Sequence, residues 1–492
     1  MENLWLNIIH LLTSPNIILI MFISTTIGII IGALPGLTAT MAIAILVGLT
    51  YSLSTDVCFA IIMSVYVGAI YGGSITAILL NIPGTGSAAA TALDGYPLAV
   101  RGEANFAIGI TRTASFFGTV FGLIMLLTIA PQLAKIALLF TSVEMALLAL
   151  FGVLVSGFVA AEDLKIKGWI SAFLGMLVSS IGIDLLHAYP RFTFNNPMMM
   201  SGIFFVPAMI GVFSIPQVLN NLRLVLPPRM KQTGSIMPKW SQISKYIPLS
   251  LRSGVIGTCI GIIPGAGEDI GAWMAYFAAK STSREKEKFG KGSIEGIVAA
   301  ETGNNAAIGG ALIPLLTLSI PGSPPAAVLL GAFLLHGIRP GPMLMFEFPE
   351  FLQQLGSIML VVSFILLISG ILVAKFFIKA LDIPPKILMP IVAVLSVIGA
   401  YAIHIRIFDV YVMLFLGVCY YFLFKLKYPV APFVLGVILG PMIDENLRRA
   451  FWVHGGLLPV LTRPIALVLF VGVILLILFQ FGWFQKFFTK KV

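Results

Sequence analysis

Uninterrupted apolar stretches recur along almost the whole chain, and they decide what it can fold into. Two of the clearest, residues 16–34 and 356–374, contain no charged side chain, and each holds the roughly 20 residues that a helix needs to cross a hydrocarbon core. A segment that crosses lipid must satisfy its own backbone hydrogen bonds, which a helix does. Because 59% of all residues are hydrophobic and 10% are charged, against about a quarter charged in soluble domains, we predict an all-α polytopic membrane protein.

Pro-Gly pairs interrupt these apolar stretches in four places: Pro35-Gly36, Pro83-Gly84, Pro264-Gly265 and Pro321-Gly322. Proline removes a backbone donor and frees carbonyl groups, which is tolerated at membrane depth only where those groups line a cavity or are buried in protein. Several segments beside the breaks are also too short to cross alone. We therefore predict about 10–12 transmembrane helices plus re-entrant Pro-Gly hairpins.

The breaks occur in the same order in two parts of the chain. A Pro-Gly break is followed by a Gly-Gly pair, a run of apolar residues and an Ile-Pro-Gly sequence, once in residues 32–84 and again in residues 261–322. This order predicts two repeated transmembrane halves, residues 1–219 and 247–492, with the basic segment 220–246 as a linker between them.

The distribution of Lys and Arg predicts how the halves are oriented. Residues 1–100 contain no Lys or Arg, whereas residues 223–291 contain 11 of the 30 in the chain. Because these side chains stay on the cytoplasmic side of a membrane, we predict that the linker is cytoplasmic and that the second hairpin enters and leaves the bilayer from that side. The first hairpin would enter and leave from outside. The result is a pair of inverted-topology repeats.

Hydroxyl, amide and acidic residues cluster around the breaks and complete a predicted substrate- or ion-binding site. The helix that starts after each break presents free N–H groups and a positive dipole end, which suit a carboxylate, and the freed carbonyls suit Na⁺. Close helix packing through small residues is the alternative interpretation. The candidate residues are Pro35, Gly36, Thr38, Ser74, Thr76, Asn81, Pro83, Gly84, Thr85, Ser87, Pro264, Gly265, Asp269, Glu301, Asn304, Asn305, Ser319, Pro321, Gly322 and Ser323.

Ionisable residues inside apolar stretches are costly, so each is a functional candidate. Glu268-Asp269 could cap a helix, bind a cation or carry a proton, and Glu301 is the better candidate for coupling to an ion. Asp94 is predicted to form a turn at a helix end. Arg112 is predicted to extend to the membrane interface, with a substrate counter-charge as its alternative. Two isolated acidic residues receive no role, namely Glu144 and Asp184.

Several classes of function lack their motifs. The chain has no G-x-x-x-x-G-K-[ST] sequence for ATP binding and no H-E-x-x-H sequence for an intramembrane zinc protease. Its three cysteines stand alone, so no thiolate metal site is predicted. The net charge of +10 comes from basic residues between apolar stretches, so no nucleic-acid binding is inferred. We predict that the protein is not an enzyme, with a serine hydrolase using Ser74 and His336 as the catalytic alternative.

The motifs resemble those of a known family. The segment Tyr71–Gly84, continued by Thr91–Pro97, is similar to the signature of the large membrane subunit of the tripartite tricarboxylate transporters. The resemblance covers about residues 15–485. The chain departs from the family at Gly86, where proline is frequent, and at Ser319, where glycine is frequent. Further similar blocks lie in the second half: Gly261–Gly267, Phe289–Gly292, Glu295-Gly296, Ala300-Glu301, Asn304–Ala306, Ile320–Ser323 and His336–Pro342.

The resemblance implies a multi-pass protein of the bacterial inner membrane that takes up di- or tricarboxylates by symport with a cation, Na⁺ or H⁺, and needs no cofactor. Its implied partners are a small membrane subunit and an extracytoplasmic solute-binding protein. We expect the carboxylate to bind near the midplane, between the Ile82–Gly84 and Ile320–Gly322 tips, with elevator-type movement of the tips. A gated ion or solute channel with re-entrant loops is the alternative.

Overall fold

The protein is almost entirely helical. The computed structural model describes residues 2–34, 37–160, 165–184, 188–222, 236–376, 385–454 and 459–480. Among these residues, seven helices are long and apolar enough to cross a membrane, and shorter apolar helices accompany them. Two short strands, β1 (Gly182–Ile183) and β2 (Pro190–Arg191), pair in an antiparallel way. The predicted all-α polytopic membrane fold is confirmed.

The helices of the first half include both arms of its hairpin. They are α1 (Glu2–Thr13), α2 (Pro15–Ala33), α3 (Ala39–Thr50), α4 (Thr55–Leu80), α5 (Ala88–Val100), α6 (Ala104–Ala137), α7 (Ser142–Ala160), α8 (Lys165–Ser179), α9 (Pro197–Met200) and α10 (Phe205–Asn221). Helix α3 has 12 residues, so at about 1.5 Å per residue it is roughly 18 Å long and too short to cross the bilayer. This length fits the arm of a re-entrant hairpin.

The second half contains the remaining helices. Its helices are α11 (Trp240–Ile243), α12 (Ile247–Ile262), α13 (Gly267–Thr282), α14 (Ile294–Leu318), α15 (Pro324–Leu335), α16 (Leu344–Glu347), α17 (Phe351–Phe376), α18 (Pro385–Ala402), α19 (Ile407–Lys425), α20 (Val430–His454), α21 (Pro459–Thr462) and α22 (Pro464–Gln480), with 3₁₀ turns at Ser244–Tyr246 and Lys286–Lys288. Helix α12 ends at Ile263 with φ −76° and ψ 122°, much as α2 ends at Leu34 with φ −86° and ψ 117°.

The two Ile-Pro-Gly tips also share their backbone geometry. Helix α4 ends at Asn81 and α14 ends at Ser319, and both residues are left-handed, with φ of 55° and 60°. Asparagine tolerates this conformation better than serine does. After each cap the chain folds back along its own helix, because the Gly84 amide donates to the Gly73 carbonyl and the Gly322 amide donates to the Ala311 carbonyl, at 3.2 and 3.3 Å.

Glycine is required where the tips touch the hairpins. A Cβ atom on Gly84 would lie 2.0 Å from the Gly32 carbonyl oxygen, and a Cβ atom on Gly322 would lie 2.0 Å from the Gly261 carbonyl oxygen. Both contacts are with backbone, which cannot rotate away. Each tip therefore packs against the first arm of the hairpin in its own half, so close packing explains part of the glycine pattern.

Helices α4 and α14 run in opposite directions. Tyr66 approaches Ser323, with 3.1 Å between their hydroxyl oxygens, whereas Ser74, two turns further along α4, contacts Glu301. Ser323 follows the tip, which folds back to the level of Ala311 on α14. From Tyr66 to Ser74 the chain of α4 runs forwards, whereas its contacts pass backwards along α14, from the level of Ala311 to Glu301. Antiparallel packing of these two helices is compatible with an inverted repeat. Both the repeat itself and the orientation of each half in the membrane stay predictions.

Candidate functional site

A cavity of about 200 Å³ lies where the breaks of the two halves meet. Its walls come from the starts of α3, α13 and α15, from the loop before α5, and from α4, α10 and α20. The lining residues are Thr38, Ala39, Thr40, Ile70, Thr85, Gly86, Phe213, Gln217, Glu268, Asp269, Pro324, Pro325, Val430 and Ala431. Segments that the sequence keeps far apart thus share one site. Pro35 and Gly36 lie outside the described residues.

The N-termini of α3, α5, α13 and α15 meet around this cavity. Such ends carry unpaired N–H groups and positive dipole charge, which attract anions. Two of them are capped by hydroxyls: Thr38 Oγ1 accepts from the Met41 amide at 3.2 Å, and Ser323 Oγ accepts from the Ala326 amide at 3.3 Å. Helix α15 begins with Pro324-Pro325, which have no N–H to donate. The first three amides of α5 donate to the carbonyls of residues 85–87. The free anion donors are therefore concentrated on α3 and α13.

Two acidic side chains of the first turn of α13 also face the cavity. Glu268 is buried, and its carboxylate accepts a hydrogen bond from the Tyr66 hydroxyl, which also contacts Ser323. Asp269 is exposed at the cavity. A Cβ atom on Gly86 would lie 2.5 Å from Asp269 Oδ2, so the space beside the Asp269 carboxylate depends on glycine at position 86.

A second polar group, which we call the Glu301 cage, lies deeper in the protein. Glu301 is fully buried in α14, and its carboxylate accepts hydrogen bonds from Ser74 of α4, Thr91 of α5 and Ser115 of α6, the last at 3.0 Å. The amide of Asn305 donates to the Glu301 backbone carbonyl at 2.9 Å. No ion pair to Glu301 occurs among the residues that the structure describes.

Hydroxyl groups connect the Glu301 cage with the cavity. Thr85 lines the cavity, and its Oγ1 lies 3.0 Å from Ser87 Oγ. Ser87 precedes α5, and Thr91 follows one helical turn later, where its hydroxyl donates to Glu301. Movement of the loop before α5 would therefore affect both sites.

Comparison with known proteins agrees with this architecture. The sequence profile of the tripartite tricarboxylate transporter TctA family matches residues 18–435. The chain belongs to this family. An "Uncharacterized 52.8 kDa protein in TAR-I ttuC' 3'region" from Agrobacterium vitis is 35% identical over 472 residues, which is 94% of this chain and 93% of that protein.

A second Agrobacterium vitis protein, an "Uncharacterized protein in TAR-II ttuC' 3'region", is 36% identical over 211 residues, covering 43% of this chain and 87% of the relative. No solved structure matches the chain. Membership of the TctA family makes this a transporter-family membrane protein of a tripartite system, and it agrees with the resemblance found in the motifs.

The structure places the remaining candidates of the first half around the tip. Asn81 and Pro83 are exposed and do not line the cavity. Thr76 is buried, and its hydroxyl donates to the Gly73 carbonyl at 3.3 Å. Gly84 is buried in the contact with Gly32 described above. These residues shape the tip, whereas Thr38 and Thr85 face the cavity directly.

The second half has a similar division. Ser319 donates to the Pro340 carbonyl and not into the cavity. Gly265, with φ 78°, packs on Ser156, and a Cβ atom there would lie 2.5 Å from Ser156 Cβ. Asn304 is buried in α14, with both side-chain polar atoms lacking a partner among the described residues. Two further candidates, Pro264 and Pro321, are outside the cavity lining.

Three sequence-based interpretations are wrong. Asp94 lies inside α5 and is fully buried, and it does not form a turn: Oδ1 accepts from the amides of Gly290, Lys291, Gly292 and Ser293 at 2.8–3.1 Å. Arg112 is 4% exposed and therefore does not extend to the interface. The Ser74–His336 pair fails because the His336 ring packs against Phe59, which lies 15 residues before Ser74 on α4, or about 22 Å along that helix.

The two acidic residues without a predicted role both pair with arginine. Glu144 is fully buried and accepts from Arg463 Nε, and Asp184 pairs with Arg448 at 2.8 Å. These pairs join segments distant in sequence and stabilise the fold away from the cavity. Sequence reasoning also missed Tyr66 and Gln217. The signal for Tyr66 was available, since a tyrosine in an apolar helix needs a partner for its hydroxyl.

Proposed function

We propose that this chain is the large permease subunit of a tripartite system and takes up di- or tricarboxylates in symport with a cation, Na⁺ or H⁺. In this proposal it lies in the bacterial inner membrane and works with a small membrane subunit and an extracytoplasmic solute-binding protein. The observation that carries the proposal is the cavity in which helix N-termini meet Glu268 and Asp269.

The helix N-termini support a carboxylate ligand. Two helix ends with free amides, those of α3 and α13, surround the cavity, and an anion is stabilised by such ends without any basic side chain. Thr40 and Thr85 add hydroxyl groups to the lining. A cavity of about 200 Å³ is smaller than the sites of drug-sized ligands, which span about 300–1,000 Å³, and so favours a small organic acid.

The two acidic side chains support coupling to a cation. A carboxylate substrate next to ionised Glu268 and Asp269 would be repelled, since like charges at short range oppose each other. A bound Na⁺ or a proton removes this repulsion. Substrate and cation would therefore occupy the site together, which is the thermodynamic basis of symport.

Access to the cavity is proposed from the cytoplasmic side. Gln217 lies one turn before the end of α10, which leads into the basic segment 220–246, and Val430 follows Lys425 and Lys427. Because basic connections mark the cytoplasmic face, this wall of the cavity lies towards the cytoplasm. In this proposal the arrangement would be an inward-facing state of an elevator-type cycle.

Proteoliposomes that contain this chain and its two partners test the proposal. Labelled succinate and citrate should accumulate in a saturable manner above the external concentration when a Na⁺ or H⁺ gradient is imposed. A channel would only equilibrate the label, and no gradient-driven uptake of any di- or tricarboxylate would refute the transporter proposal.

Variants locate the site in the same assay. Thr85→Val should raise the KM for the transported acid, whereas Thr128→Val should not. Thr128 is a suitable control because its hydroxyl donates to the Ile124 carbonyl of its own helix and is exposed. Equal effects of both variants would remove Thr85 from the proposed site.

A further inference from the structure

The Glu301 cage has an unusual charge balance. Its carboxylate is fully buried and receives hydroxyl donors from three different helices, but within the described residues no basic side chain forms an ion pair with it. A buried charge without a partner is strongly disfavoured, and such a group takes up a proton or a cation instead. The resting site therefore needs one positive charge that the described residues do not supply.

The groups that face Glu301 from neighbouring helices do not supply it. On α6, Arg112 lies one turn before Ser115, but its Nε and Nη1 atoms are buried without a partner. On α4, the Tyr71 hydroxyl is also buried without a partner, and Gly370 packs against both side chains.

The remaining titratable groups around α14 are engaged elsewhere. Asp94 of α5 accepts four backbone amides and the hydroxyl of Tyr276 from α13. Glu268 of α13 accepts from Tyr66. On α12, Arg252 donates to Thr282 at the protein surface. Helix α15 contributes no titratable side chain.

The contacts of the Glu301 cage favour a proton over a metal ion. All three hydroxyls contact the Glu301 oxygens directly. A hard cation such as Ca²⁺ takes about six or more oxygen ligands in proteins. The described residues contain no group of three or more His, Cys, Asp or Glu side chains that could hold a metal ion. A protonated carboxyl group needs no additional ligand.

We propose that Glu301 carries the coupling proton of transport, and that Thr85, Ser87 and Thr91 connect its protonation to the cavity. This inference rests on the proposed function, since it names the coupling ion. The Thr91 hydroxyl donates to the Glu301 carboxyl group, so a change of charge on Glu301 acts directly on the first turn of α5. The bond between Thr85 and Ser87 lies one turn away on the loop that forms the cavity wall, so substrate binding and proton binding share this loop.

Infrared spectroscopy of the purified full chain in lipid vesicles tests the proton directly and needs no substrate. The wild type should show the carbonyl band of a buried protonated carboxylic acid that disappears at alkaline pH. Glu301→Gln should remove this band. Glu144→Gln is the matched control, because Glu144 is equally buried but paired with Arg463, and it should retain the band. A wild type without the band, or a band that persists in Glu301→Gln, would overturn the assignment.

A second variant covers the case in which Glu301→Gln does not fold. Thr91→Val retains the carboxyl group and removes one hydroxyl neighbour, so the same band should shift in frequency. An unshifted band would contradict the proposed hydrogen bond between Thr91 and the protonated carboxyl group of Glu301. If Glu268→Gln loses the band and Glu301→Gln keeps it, the protonated carboxyl group is that of Glu268, and the proposal is overturned.

Transport separates this inference from the proposed function. In proteoliposomes of the complete system, Glu301→Gln should lose succinate or citrate accumulation driven by a pH gradient but retain exchange of labelled for unlabelled acid. Wild-type uptake that follows a Na⁺ gradient and ignores the pH gradient would overturn the proton assignment alone. Absence of any wild-type uptake would instead refute the proposed function, while the infrared result would stand.

Discussion

The Tyr66 hydroxyl donates a hydrogen bond to the Glu268 carboxylate, although 202 positions separate the two residues in the sequence. Both side chains are buried, and the bond links the long helix α4 of the first half with the hairpin arm α13 of the second. Burial of an acidic group is tolerated only when its oxygens have donors. The pair therefore contributes to holding the halves together at the cavity.

Tyr66→Phe should lower the free energy of unfolding by about 1–3 kcal/mol, because a buried acceptor loses its donor. Thermal unfolding of the purified protein in detergent measures the change. Tyr71→Phe is the matched control on the same helix, since the Tyr71 hydroxyl is buried without a partner among the described residues. Its removal should be neutral or slightly stabilising, and equal losses in both variants would contradict the role given to Tyr66.

Gly84→Ala and Gly322→Ala should both destabilise the tips. Each new Cβ atom would lie 2.0 Å from a backbone carbonyl oxygen of the hairpin, and overpacking of a rigid site costs about 1–3 kcal/mol or more. Denaturation curves in detergent should show the loss in both variants. Gly472→Ala is the control: its nearest contact is a ring carbon of Phe151 at 3.3 Å, and alanine favours the helix. A tip variant as stable as this control would refute the close contact.

The sequence predicts the tips well and the pairings across the protein poorly. Pro83-Gly84 and Pro321-Gly322 are visible because proline and glycine disrupt a helix through local chemistry. The contact between Ser74 and Glu301, 227 positions apart, depends instead on how α4 and α14 pack. No local rule fixes that packing.

The same limit explains the misjudged acidic residues. From the sequence, Asp94 is predicted to form a turn because an Asp-Gly pair with a proline two residues later is typical of turns. In the folded chain, four amides of residues 290–293 donate to its carboxylate. From the sequence, Arg112 is predicted to lie near an interface because its helix begins only eight residues before it, at Ala104. The neighbours that bury it come from α4 and α17.

Asp94→Asn should destabilise the contact between α5 and the loop before α14. An uncharged oxygen accepts hydrogen bonds more weakly than a carboxylate, and hydrogen bonds to charged groups are worth about 1.5–3 kcal/mol. Limited proteolysis in residues 283–293 should become faster. Asp56→Asn serves as control, because Asp56 accepts an exposed hydrogen bond from Gln354. Unchanged proteolysis in Asp94→Asn would show that the loop is held by other contacts.

Arg463→Met should destabilise the protein by about 3–5 kcal/mol, because it leaves the fully buried Glu144 without its ion-pair partner. Combining it with Glu144→Gln should recover most of the loss, since the double variant no longer buries an unpaired charge. Thermal unfolding of the two single variants and the double variant measures the coupling. Additive losses would contradict an energetic interaction between Glu144 and Arg463.

Single-cysteine labelling tests the inverted topology. The native cysteines must first be replaced, because Cys259 and Cys419 are exposed, whereas Cys58 is buried. Thr55→Cys, at the start of α4 in the part of the chain without Lys or Arg, should react with an impermeant maleimide from outside. Ser283→Cys, between Lys280 and Arg284 at the end of α13, should react only after the membrane is opened. The cysteine-free parent controls for background, and labelling of both positions from one face would exclude the inverted repeat.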